Sequence, residues 1–276
     1  PRAARSPRMN RRSPNELIVR HSDLILAGLV GLVLVLMVLR VPPAFLDWAI
    51  ALNIALSAVM LMAALYLRTP ARFAAFPAVL LIVTLFRLGL NISSTRLILL
   101  EADSGRIIDT FGRFVVGGNF VVGAVVFLLL VIVQFVVISQ GSKRVARVAA
   151  RFSLDAMQGK QTAIDADLQR GEITGAEASR RRLELQKESR LYGAMDGSMN
   201  FVEGDAIAGL VISAVNIVAG LIVGVTQQGM EMGEAAQTYS ILTIGDGLVS
   251  QIPALLLGLS AALIVSRVPD DTADEE

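Results

Sequence analysis

Six apolar runs, separated by short polar stretches, dominate the chain. Residues 24–39, 45–67, 76–100, 114–139, 206–225 and 239–265 each approach the roughly 20 mostly apolar residues that a helix needs to cross a bilayer core. The pattern predicts an all-α fold: a polytopic membrane helical bundle of six spans with a small charged helical insert. The third run is interrupted by Arg87, Asn91 and Arg96, and the sixth by Asp246 and Pro253. Either would fold as half-helices if its polar residues met protein or water at membrane depth, which would raise the count to as many as eight. The expected divisions are a basic arm (1–23), a first bundle (24–139), a cytoplasmic insert (140–204), a second bundle (205–268) and the start of a linker (269–276).

Composition supports the membrane assignment. Hydrophobic residues make up 54% of 276 positions and mean hydropathy is +0.62, above the 45–50% apolar content usual for soluble domains. Cysteine is absent and His21 is the single histidine, so neither a disulfide framework nor a thiolate or histidine centre is expected. The net charge of +1 conceals an uneven distribution. Arg2, Arg5, Arg8, Arg11, Arg12 and Arg20, then Arg68 and Arg72, then the segment SKRVARVAARF place three basic flanks on the cytoplasmic side by the excess of Lys and Arg there. The loops RVPPAF, EADSGRIIDTFGR and TQQGMEMGEAAQ then lie outside, and both termini are cytoplasmic. Met9 is the expected native start, and the acidic tail PDDTADEE has the character of a linker leading to a further domain.

In the insert, Thr174 and Glu177 have the spacing of a capping box, followed by a helix of about four turns for which Gly193 is the expected stop. A charged helix of this kind is most often a solvated face, with docking onto a partner or a neighbouring copy as the alternative. The run from Asp165 to Glu177 superficially matches a calcium loop. Arg170 stands where the turn glycine belongs and Glu177 falls one place late, so calcium is not expected there.

Ionisable residues in membrane spans are costly and usually face the bundle interior or water. Asp47, beside Trp48 at the start of the second run, reads as an interfacial helix cap. Arg87, Asn91 and Ser94 fall at i, i+4 and i+7 on one face, so Arg87 requires a carboxylate or carbonyl partner. Two readings stand for this stripe: an interhelical clamp, or a part in conduction or gating. Asp246, between Gly245 and Gly247 and ahead of Gln251 and Pro253, is too far inside its run to be a cap. Its glycines indicate either close backbone packing or a locally unwound segment. Asp205, after Gly204, reads equally as a helix cap or as a functional carboxylate, and Gly220 with Gly224 as a packing pair.

The stretches LFRLGLNISSTRLIL, RFSLDAMQGKQTAIDADL, YGAMDGSMNFVEGDAIAG and TIGDGLVSQIPALL, in this order, closely resemble the FHIPEP family, the major export-gate subunits of bacterial type III secretion systems. The resemblance spans residues 22–268. It implies a homo-oligomeric, nonameric ring in the bacterial inner membrane that couples proton-motive force to export of unfolded proteins. Implied partners are other membrane subunits of the export apparatus and the lipid bilayer. Substrates and chaperones would be met through a C-terminal cytoplasmic domain, and no cofactor, metal or nucleic acid is implied. Asp205 and Asp246 correspond to the family's important carboxylates. Arg87, Asn91 and Arg96 match its third-span motif, and Asp155, Lys160, Asp165 and Asp167 belong to its insert motif. Members commonly carry Lys at the position of Asn200, a basic residue at that of Glu203 and Pro at that of Gln158. A Glu beside Asp205 would favour its protonated form. A proton-coupled solute transporter and a structural scaffold remain the rival readings; the internal repeat common among transporters is not visible. An enzyme is not expected.

Overall fold

The computed structural model describes residues 27–66 and 75–266. His21, the N-terminal arginines, Arg68, Arg72 and the acidic tail lie outside the described residues. Eight helices follow in order: α1 (Ala27–Val38), α2 (Pro43–Tyr66), α3 (Phe76–Glu101), α4 (Arg106–Val116), α5 (Phe120–Ile132), α6 (Gln140–Arg170), α7 (Gly175–Thr226) and α8 (Met232–Ser266). A π-helical stretch, Val133–Ser139, joins α5 to α6, and no strand forms among the described residues. Five helical stretches are long and apolar enough to cross a membrane, and α1 is a shorter apolar helix.

The helices differ in how much they hide. In the most apolar 18 residues of each stretch, 61% of α3 and 56% of α8 are buried, against 11% in Phe120–Arg170 and 11% in α7. The two helices with intramembrane charges in mid-run are therefore the interior ones, which keeps those charges out of lipid. Both are unbroken, contrary to the half-helices their polar residues allowed. Pro77 sits in the first turn of α3, where its missing N–H costs nothing. Pro253 lies inside α8, where tight packing on neighbouring helices holds the segment helical.

The loop expected over residues 101–113 is instead largely α4, amphipathic and capped from a distance. Asp47 does not cap its own helix: its Oδ2 and Oδ1 accept from the backbone N–H of Arg106 and Ile107, both at 3.1 Å. The carboxylate thus satisfies free donors at the start of another helix. The fourth span begins at Phe120 and not Phe114, after a turn in which Asn119 accepts from Val121 N–H at 3.1 Å. Phe114 belongs to α4.

Glycine sets the α4–α8 distance. A Cβ on Gly245 would lie 2.1 Å from the Ile108 carbonyl oxygen, and one on Gly112 2.2 Å from that of Ile241. Gly247 faces the Phe127 ring, and Gly220 and Gly224 face Tyr239. The glycines around Asp246 are therefore packing glycines in a continuous helix.

Gly193 does not stop α7. The Thr174 hydroxyl accepts from Glu177 N–H at 3.3 Å, and the helix then continues for 52 residues. Leu191, Tyr192, Met195, Met199 and Val202 bury against Phe76, Leu80, Ala146 and Leu257. That burial outweighs the ~1 kcal/mol a helical glycine costs.

Candidate functional site

The site sits where α3, α7 and α8 meet. Arg87 lies eleven residues beyond Phe76, the first residue of α3, or about 16 Å at 1.5 Å per residue. It is 1% exposed and Asp205 7%. Arg87 Nη2 donates directly to Asp205 Oδ2, joining α3 to α7. The partner that Arg87 requires is thus the carboxylate that sequence alone could equally read as a cap. Such a pair survives burial only because each charge compensates the other, and removing one partner typically costs 3–5 kcal/mol.

Arg87 lines two cavities. The first, a cleft of about 420 Å³, is lined by Arg87, Asn91, Gln134, Asp205, Ser250 and Gln251, among others. The second, of about 260 Å³, is lined by Asn53, Arg87, Asn91, Ser94, Asp246 and Ser250, among others. Arg87 and Asn91 face both, so the polar stripe of α3 forms the shared wall. Asp246 is 6% exposed and shares this cavity with Ser94, whose hydroxyl donates to the Asn91 carbonyl at 3.0 Å. Ser250 donates to the Asp246 carbonyl at 2.7 Å. Asp205 thus lines the first cavity and Asp246 the second, and Arg87 lines both.

Several polar atoms here have no hydrogen-bond partner from the protein: Arg87 Nε and Nη1, Asp205 Oδ1, Asn53 Oδ1 and Gln134 Oε1. Buried polar atoms are nearly always paired, with protein or with water. The cleft beside Asp205 has room for a water, with Arg87, Asp205 and Gln134 as polar partners.

Arg96 stands apart from this group. Its Nη1 and Nη2 donate to the carbonyls of Val38 and Met37 at 2.7 and 2.8 Å. Ser93 donates to that of Leu36 at 2.6 Å. These bonds satisfy the open carbonyls at the end of α1, so Arg96 caps a helix and takes no part in the cavities.

Glu203 faces away from Asp205 and forms an ion pair with Lys143 of α6. Two residues apart on a helix are about 200° apart in direction, so the two carboxylates do not share an environment. The compensating cation was invisible in sequence because it lies sixty residues away. Asn53 and Gln134 were missed for a similar reason: a single amide in an apolar run carries no periodic signal.

Among the insert residues, Lys160, Asp165 and Asp167 pair across the α6–α7 hairpin, whereas Asp155 pairs within α6. Lys160 meets Glu188 at 3.3 Å, Asp155 meets Arg151 at 3.8 Å, Asp165 meets Arg182, and Asp167 meets Arg170 and Arg181. None of the four lines the cavities.

Comparison with known proteins agrees with the motifs. The FHIPEP family profile matches residues 33–276. The chain is 55% identical over 258 residues to Low calcium response locus protein D of Yersinia pestis, covering 94% of this chain and 37% of that protein. It is 52% identical over 250 residues to protein MxiA of Shigella flexneri, covering 91% and 36%. It is 53% identical over 254 residues to flagellar biosynthesis protein FlhA of Proteus mirabilis, covering 90% and 36%. The chain thus spans little more than a third of the length of these relatives, and no solved structure matches it. With a family match over residues 33–276, the chain belongs to the FHIPEP family of type III secretion export-gate proteins.

Proposed function

We propose that this chain is the membrane part of an export-gate subunit that couples proton movement across the bacterial inner membrane to export of unfolded proteins. The observation that carries this reading is Arg87, buried, paired with Asp205 and lining both the cleft that contains Asp205 and the cavity that contains Asp246. Protonation of Asp205 would remove half of the pair and leave a buried cation to seek a new partner, which is the kind of two-state element that drives a conformational step. Asp246, in the second cavity, is a carboxylate toward which that cation can turn.

The apolar exteriors of α5 and of the membrane part of α7, with Val125, Leu129, Val211 and Val218 all exposed, suit burial against lipid, neighbouring copies in a homo-oligomeric ring, or other export subunits. Both termini and the α6–α7 hairpin face the cytoplasm in this reading.

The test is secretion by the full-length protein. Asp205→Asn and Asp246→Asn should each cut substrate export at least tenfold while ring assembly persists; unchanged export from both would sink proton coupling. Arg87 and Asp205 also make an interhelical clamp, and the exchange Arg87→Asp with Asp205→Arg separates the roles. A clamp regains export on exchange, whereas a proton site does not.

A further inference from the structure

The fourth span changes winding beside the site. Val133–Ser139 is π-helical, a rare geometry that recurs where a side chain must be aimed at a functional centre. Neither proline nor glycine occurs in VQFVVIS, so local sequence does not demand it. Its second residue, Gln134, lines the Arg87–Asp205 cleft with its Oε1 buried and unpartnered by protein. Arg87 Nε and Nη1 and Asp205 Oδ1 are unpartnered too. Two donors and two acceptors thus lie on the walls of one cleft. A water molecule, which donates twice and accepts twice, matches that set, and a buried water typically makes about three such bonds.

We propose that Gln134 is a positioning residue that holds a water between Arg87 and Asp205, the water through which Asp205 exchanges its proton. The water accepts from Arg87 Nη1 and donates to Asp205 Oδ1 and Gln134 Oε1. A proton reaching it makes a hydronium; an O–H bond then forms at Asp205 Oδ1 as one breaks on the hydronium, which returns to neutral water. The charged groups facing this water are Arg87 on α3 and Asp205 on α7. The fourth span and α8 contribute Gln134, Gln251 and Ser250; Asp246 lines the second cavity, and Glu203 is held by Lys143. Gln134 and Gln251 also line an apolar groove with Phe114 and Leu248, so the two amides form the wall between wet cleft and apolar exterior.

This inference rests on the proton-coupling reading, and its test is separable from it. In the full-length protein, Gln134→Leu should lower export at least tenfold with normal assembly, while Gln134→Asn, which keeps an amide, recovers most of it. Wild-type export by Gln134→Leu, or equal loss in both variants, overturns the role. Hydration has its own readout, because residues 1–276 contain no cysteine. In assembled protein, Gln134→Cys should react with a small water-soluble thiol reagent at least tenfold faster than Val125→Cys, measured by peptide mass spectrometry. Equal rates overturn the water site even where Gln134→Leu fails to assemble. An inactive Asp205→Asn with an active Gln134→Leu removes the water role alone; an active Asp205→Asn removes the parent reading.

Discussion

Glu203 shows how a single side chain depends on a partner far along the chain. The family resemblance leads one to expect a basic residue there, and the structure supplies the cation from Lys143 instead. Glu203→Lys should therefore place two ammonium groups together in a part-buried site and lower the thermal unfolding midpoint of detergent-purified protein, a loss on the order of 1 kcal/mol or more. Adding Lys143→Glu should recover it. A Glu203→Lys protein as stable as the parent would show that the pair contributes nothing. Asp47 makes the same point about capping. Its residue type announced a cap, but only the fold decided that the cap belongs to α4, because the donors at Arg106 and Ile107 approach through space.

At the scale of elements, close approach and capping can both be tested. Gly245→Ala would gain helix propensity but set a methyl 2.1 Å from the Ile108 carbonyl oxygen. Overpacking of this kind costs about 1–3 kcal/mol, so reduced thermal stability is expected, and an unchanged midpoint would mean that α4 shifts freely. In the hairpin, Thr174→Ala should remove the cap of α7 and cost about 1 kcal/mol, seen as faster amide exchange over residues 175–185.

The same turn has a pH dependence. Hydrogen bonds from Arg180 and Arg181 hold the Glu177 carboxyl below its ordinary range. A carboxyl lowered on folding stabilises the helix above the unfolded carboxylate range, and this is lost as pH falls through the folded value. Amide protection in this turn should therefore be higher at neutral pH than at about pH 3; equal protection at both would show the Arg contacts to be idle.

Across the whole molecule, length is the informative quantity. At 1.5 Å per residue the 52 residues of α7 extend about 78 Å, well over the ~30 Å of a bilayer core. One continuous helix therefore runs from the hairpin at Thr174, past Asp205, to Thr226. The proposed orientation predicts that a cysteine introduced at Gln158 is labelled from the cytoplasmic side and one at Gln228 from the opposite side; the reverse pattern would invert the topology.

Sequence by itself determined the helical membrane class, the places of the second, third and sixth runs, the α7 cap and the polar face of α3. Each of these follows from hydrophobic length, helical period or short-range spacing, quantities that a linear pattern contains. Only the tertiary structure decided that Arg87 is paired with Asp205, that Lys143 answers Glu203, that Arg96 closes α1, and that the glycines beside Asp246 serve packing instead of unwinding. Those outcomes depend on which helices meet, and in an apolar environment a lone polar or glycine residue carries no period that names its partner. The same reason kept Asn53 and Gln134 out of sight until the cavities they line were visible.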